Sequence, residues 1–179
     1  IQELFSVRNR VGFLKLLSLL FMQSGGVLEI TSLARESGLS RPTVMSHLEA
    51  LSIAHAITSV QPFFGGGKKE IVKRPKVYGF DTGFVTHIKG WNEIRESDRG
   101  LLWEHLVLDM LRVTYGKVYY WSDKEKSEID FIVKGKGKEI HTIECKINPD
   151  KYSDRAIKRF RSYYPKEKNY CFSPQVVNP

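Results

Sequence analysis

A chain of 179 residues, 41% hydrophobic and 27% charged, is globular in composition and holds either one medium domain or two small ones; two small cores are expected. The net charge of +8 and a pI near 9.5 favour an anionic partner, nucleic acid or an acidic membrane surface. Only Cys145 and Cys171 are present, without metal-type spacing, which argues against a disulfide framework or a structural zinc site and suits a reducing cytoplasm.

The charge is spread along the chain: residues 1–90 carry 11 Lys/Arg against 6 Asp/Glu, and residues 91–179 carry 17 against 14, giving +5 and +3. Neither part is a basic tail. The longest apolar run, Val11 to Met22, is interrupted by Lys15 and Ser18 and is too short to span a bilayer, and no signal-peptidase-type site follows it. No membrane partner is expected. The first residue is Ile1 rather than Met, so the chain is expected to be a piece of something longer.

Arg10 to Gln23 has helical apolar spacing and stops at Gly25-Gly26. "VLEI" then reads as a short strand, Thr31 as the cap of a second helix closing at Gly38, and Ser40 as the cap of a third, "RPTVMSHLEALS". Ala34, Gly38 and Val44 have helix-turn-helix offsets: a small residue where helices cross, a glycine for the left-handed turn, and an apolar anchor. "HAITSVQPFF", "GGGKK" and "EIVKRPKVYGF" follow as two strands around a basic, Gly-rich tip, which completes a winged helix. In that arrangement Arg41, Thr43, Ser46 and His47 face the major groove, and Lys68, Lys69, Lys73 and Arg74 touch phosphates. The plainer alternative is a packing or dimerisation module with solvated charges. "GGGKKE" lacks the glycine gap, the Ser/Thr and the following helix of a P-loop.

Polar "GWNEIRESDRG" marks a boundary near residues 90 to 98, and "LLWEHLVLDMLRVTYG" reads as a helix ended by Gly116. At 3.6 residues per turn His105, Asp109 and Arg112 form its polar face, whereas Glu104 falls on the apolar side between Leu108 and Leu111. A carboxylate on such a stripe costs several kcal/mol unless a cation, metal or donor receives it, so Glu104 is a site candidate; a buried ion pair or a snorkelling edge residue is the alternative.

"KVYYWSD" is rich in strand formers, and Ser127 to Lys146 supplies two more strands. If "GKG" is a three-residue loop with Lys134 opposite Lys138, Asp130 faces Thr142 and lies one diagonal step from Glu144 on the same surface. A two- or four-residue loop separates the two carboxylates onto opposite faces. Paired carboxylates repel, and a hard cation such as Mg2+ relieves them. Lys146, two residues beyond Glu144, points to the same place and can hold an attacking water or neutralise phosphate charge, while Glu104 can complete the shell through a water. Downstream, "SDRAIKRFRSYYP" reads as a Ser153-capped helix with Ile157, Phe160 and Tyr164 inward and Lys158, Arg159 and Arg161 outward, before a strand "NYCFS".

The order helix, three strands, helix, strand, with Glu104 in the first helix, Asp130 on the second strand, and Glu144 and Lys146 on the third, resembles the PD-(D/E)xK nucleases over about residues 98 to 173. Asp130, a thirteen-residue gap and "ECK" carry the signature, with Ile129 where the pattern's name has proline. A closer likeness covers nearly the whole chain. "SRPTVMSHLEAL", "RPKVYGFDTG", "LLWEHLVLDML", "YYWSD…EIDFIV" and "IECK" together resemble the C-terminal region of an archaeal and bacterial AAA-type ATPase family. In that family a P-loop ATPase domain precedes a winged helix, and a nuclease-like domain of unassigned function follows. Within "KVYGFDTG", Asp81 and Gly83 suit a strand exit and turn.

The resemblance implies an α/β chain with a winged helix-turn-helix over 1–90 and a nuclease-like domain over 91–179. It implies Mg2+-dependent DNA cleavage in which Asp130, Glu144 and Glu104 serve the metal and Lys146 assists the nucleophile. ATP would enter only through the ATPase domain of the full-length chain; DNA is the expected partner and a homo-oligomer is allowed, and the cysteine usage leads one to expect a cytoplasmic location. The rival expectation is a non-catalytic DNA- or protein-binding module with a vestigial site that regulates the ATPase.

Overall fold

A computed structural model describes residues 9–64, 74–135, 137, 139–165 and 168–174. Among them the chain is a mixed α/β protein with six α-helices and a six-stranded mixed sheet of hydrogen-bonded order β2-β1-β3-β4-β5-β6. Two compact units are present, one drawn from 1–60 and 74–93, the other from 61–73 and 94–179.

In the first unit, α1 (Arg10–Met22) begins where the Asn9 carboxamide accepts the Gly12 N–H at 2.9 Å. It buries Phe13, Leu16 and Leu20, spaced so that they share one face. The expected "VLEI" strand is reduced to one bridge, Val27 to Lys76, because Leu28 turns into the core and α2 (Ile30–Ser37) starts at once. Glu29 rather than Thr31 is its N-cap, without a side-chain hydrogen bond. Gly38 ends α2 at φ 71°, the left-handed turn that only glycine makes without strain. Ser40 caps α3 (Arg41–Ile53), accepting the Thr43 N–H at 3.3 Å. Strands β1 (Ile57–Pro62) and β2 (Lys76–Gly79) pair antiparallel from Ile57↔Gly79 to Val60↔Lys76. The tip between them, with Lys68, Lys69 and Lys73, lies outside the described residues. Asp81 corrects another expectation: it opens a helix, α4 (Thr82–Ile88), by accepting the Phe84 N–H at 3.1 Å.

The second unit starts with α5 (Glu96–Tyr115), whose N-terminus is tied by Asp98 to the Arg95 N–H at 3.1 Å and to its guanidinium at 2.9 Å. Strands β3 (Val118–Ser122), β4 (Glu128–Lys134) and β5 (Ile140–Cys145) are antiparallel neighbours. A 3₁₀ turn (Pro149–Lys151) leads to α6 (Arg155–Tyr163), and β6 (Asn169–Phe172) pairs parallel to β5. Gln61 and Pro62 of β1 pair parallel to Tyr119 and Tyr120 of β3, and Phe63 joins a core of Trp121, Ile129, Ile132, Ile157 and Phe160. Both faces of β4 and β5 are covered, so Ile129 to Val133 are all buried.

Helix α6 differs from the expectation at its outer face. Arg159 is not merely solvated: its Nε lies 2.6 Å from Asp123, and its guanidinium also grips Glu125. Arg161 donates through Nε to Asn169 at 3.0 Å, fastening α6 to β6. Its N-cap is Asp154; Ser153 reaches only the Arg155 N–H, at 3.5 Å.

A Cβ at Gly79 would meet the Phe21 ring at 2.8 Å and Val85 at 3.0 Å. Gly79→Ala is therefore expected to destabilise the first unit by about 1–3 kcal/mol. A thermal melt that leaves the transition in place would refute that packing.

Candidate functional site

The ladder between β4 and β5 sets the site. Lys134 faces Ile140, Ile132 faces Thr142, and Phe131 faces Ile143. The connection is thus five residues, 135–139, rather than the three of Gly135–Gly137, and it is Ile132 rather than Asp130 that faces Thr142. The odd length is kept, so the face on which Glu144 falls does not change. In this register Asp130 is next in line opposite Glu144.

A second irregularity aims Asp130. From Tyr119 to Trp121, β3 advances two residues while its partner β4 goes from Ile132 to Ile129, which is three. The extra residue is a β-bulge at Asp130–Phe131. Cys145, which regular pairing would set against Ile129, instead donates its N–H to Asp130 Oδ2 at 2.7 Å. Asp130 thereby replaces a ladder carbonyl, and its carboxylate is drawn to the end of β5.

Lys146 completes the cluster. Its Nζ donates to Glu144 Oε2 at 2.8 Å and lies 3.6 Å from Asp130 Oδ2. Asp130 and Glu144 are both buried, 9% and 5% exposed. Burial, and then the Asp130 charge, push the Glu144 carboxyl up to about 7 against the opposing pull of Lys146. Burial by itself would lower the Lys146 ammonium, but the Asp130 and Glu144 carboxylates outweigh it and hold the group above its usual range. The Cys145 thiol is pushed up by burial first, then by the charges of Asp130 and Glu104.

Glu104 sits half-buried on α5 beside the buried Val107, Leu108 and Leu111, within electrostatic reach of Cys145. His105 is a correction: it is 4% exposed and belongs to the packed side, while Asp109 and Arg112 stay outside as a pair at 3.7 Å. One turn from Leu101 and adjacent to Leu108, it lies at the border of the stripe, where a helical projection decides poorly. Two neighbours of the site had no local signal. Cys171 is the β6 residue paired with Glu144, and Tyr152, after the 3₁₀ turn, has its phenol raised by burial and then by Glu144. Both depend on chain that returns to β5 from elsewhere.

Of the described residues expected to touch DNA, not all reach the surface. Arg41 and Ser46 are exposed on α3, and Thr43 Oγ1 lies 2.7 Å from Ser40 Oγ. His47 is a correction: it is buried, its ring edge-on to Phe13 at 5.1 Å, and burial lowers its pKa. It falls three residues after Val44 and four before Leu51, which is the core face. Arg74 is exposed and ion-paired with Glu29.

Among the described residues no group of three or more His, Cys, Asp or Glu is placed to hold a metal ion. The donor set nevertheless fits a hard divalent cation. Two buried carboxylates already share one positive charge, the Lys146 ammonium. Mg2+ commonly binds through only one or two carboxylates and fills its remaining positions with water and phosphate oxygens.

Residues 1–95 match the model of a domain of unknown function, DUF8612. The chain belongs to the DUF8612 family. Residues 99–178 match a second domain of unknown function, DUF4143. Two uncharacterized proteins, Rv2008c of Mycobacterium tuberculosis and Mb2031c of Mycobacterium bovis, are each 28% identical over 159 residues, covering 81% of this chain. The chain spans 36% of the length of these curated relatives. No solved structure matches.

Raising Glu144 from 4.5 to about 7 means that the folded protein holds this proton more tightly than the unfolded chain does. Stability is therefore lost as pH rises from 4.5 through 7, by on the order of 3 kcal/mol. Glu144→Gln is expected to melt higher than wild type at pH 8 and alike at pH 4.5; identical melting at both pH values would contradict the burial of an unrelieved charge.

Proposed function

We propose that residues 91–179 are a PD-(D/E)xK-type nuclease-like domain that cleaves DNA phosphodiesters with a divalent cation. Residues 1–90 are a winged helix that binds DNA, and both form the C-terminal region of an AAA-type ATPase. One observation carries the catalytic reading: the Lys146 ammonium, just beyond β5, lies 2.8 Å from the Glu144 carboxylate of β5 and 3.6 Å from the Asp130 carboxylate of β4. The winged-helix reading is supported by three helices followed by an antiparallel strand pair, with the α2–Gly38–α3 turn. The motif likeness and the greater length of the relatives support the ATPase context.

Asp130 and Glu144 would hold the cation. When bound, Mg2+ supplies a water of lowered pKa and polarises the phosphoryl oxygen. Lys146 donates to a phosphate oxygen or to the attacking water and neutralises charge that grows in the transition state. Glu104, on α5, would orient a water of the cation. Asp130 does double duty: its carboxylate also satisfies the buried Cys145 N–H, so truncation to alanine would leave that donor unpaired at a cost of about 1–3 kcal/mol. Asp130→Asn keeps an acceptor there and tests the charge alone.

Purified protein is expected to nick or cut single- or double-stranded DNA with Mg2+ or Mn2+. Asp130→Asn and Lys146→Ala should each lose about a hundredfold or more in rate while melting cooperatively. Intact DNA under every divalent-cation condition would end the enzyme reading. The fact that Lys146 already neutralises the carboxylates favours a second reading, a non-catalytic DNA- or protein-binding module. For that module, salt-sensitive DNA binding survives Asp130→Asn and Glu144→Gln but weakens about five- to tenfold in Arg41→Ala.

A further inference from the structure

The Lys146 ammonium lies where a cation serving both carboxylates would sit. It is 2.8 Å from Glu144 and 3.6 Å from Asp130, with its side chain 28% exposed and those of its partners 6% and 12% exposed. Two buried acids cannot present their oxygens fully to two competing cations in one small space, since the two positive charges repel strongly at low dielectric. We infer that Lys146 is an internal lock, a tethered cation that occupies the carboxylate pair until a divalent ion displaces it. This inference rests on the cation-dependent reading of the same site.

The displacement changes the working parts in a definite way. Freed from Glu144, Lys146, whose side chain is already 28% exposed, can turn its ammonium toward solvent on a flexible four-carbon stem, where a phosphate oxygen is its next partner. Cation and phosphodiester binding then support one another: the ion releases the lysine, and a lysine held by phosphate no longer competes for the carboxylates. In the absence of both, the lysine keeps Asp130 and Glu144 partnered and the bulge at Asp130 satisfied.

Two measurements on the whole chain decide this. The first labels lysine amines with acetic anhydride and reads each by mass spectrometry, with and without saturating Mn2+. Lys146 is expected to label several-fold faster with Mn2+, while Lys117, exposed beyond the end of α5, does not change. The second is calorimetry with Mn2+ alone. Lys146→Met is expected to bind about tenfold more tightly than wild type, and Lys146→Arg, which keeps a tethered cation, to bind as wild type does. If wild type binds Mn2+ yet Lys146 labelling does not change, or Lys146→Met binds no more tightly, the lock is overturned and the cation site stands. If neither wild type nor Lys146→Met binds Mn2+ at millimolar concentration, the lock and the cation-dependent reading fall together. Labelling needs no variant, so a poorly folded Lys146→Met leaves a decisive result.

Discussion

Two carboxylates and one ammonium are taken largely out of water together at the end of β5, and the electrostatics of the second unit turn on how they partner one another. Neither Asp130 nor Glu144 would be stable there singly, because each is almost fully buried. Lys146 offsets part of that cost, the Cys145 N–H offsets part of it for Asp130, and the remainder appears as a Glu144 carboxyl held near neutrality. Buried carboxylates perturbed in this way add nothing to the apolar core and mark the cluster as a candidate site.

The frame around it is built to resist. Strands β4 and β5 are buried on both faces, so the backbone beneath the carboxylates has little room to relax. Helix α6 is fastened to the turn before β4 by Arg159 with Asp123 and Glu125, and to β6 by Arg161 with Asn169. The Trp103 indole, from α5, donates to the Phe172 carbonyl at 2.8 Å and closes the end of β6 beside Glu144's neighbour Cys171. Rigid strands carrying a short, defined cluster suit positioning chemistry better than loops would.

Much of this was legible in particular residues. Helical spacing and caps placed α1 and α3, and Gly38 and Gly116 stop helices where expected, both with positive φ. Glu104 stands out on an apolar stripe, and only an odd number of residues after Lys134 sets Asp130 and Glu144 on one face. Errors fell where local pattern is silent. Histidine is polar and so suggests an exposed face, yet His47 falls on the core face of α3 against Phe13, and His105 lies buried at the border of the α5 stripe. Residues 28–31 and 81–83 have strand-like or turn-like composition but enter helices, since core packing of Leu28 and the Asp81 cap outweigh propensity.

Sequence alone determined the glycine ends of α2 and α5, the cap of α3, and the two-residue periodicity that groups Glu144 with Lys146, because these follow from backbone geometry within a few residues. The tertiary structure alone decided the register and the bulge. Shifting a hairpin by two residues preserves every face and so leaves no trace in the hydrophobic pattern, and an extra residue in β4 is defined only by what β3 does beside it. It is that bulge which replaces a backbone acceptor with the Asp130 carboxylate, and that convergence which brings Lys146 between two acids.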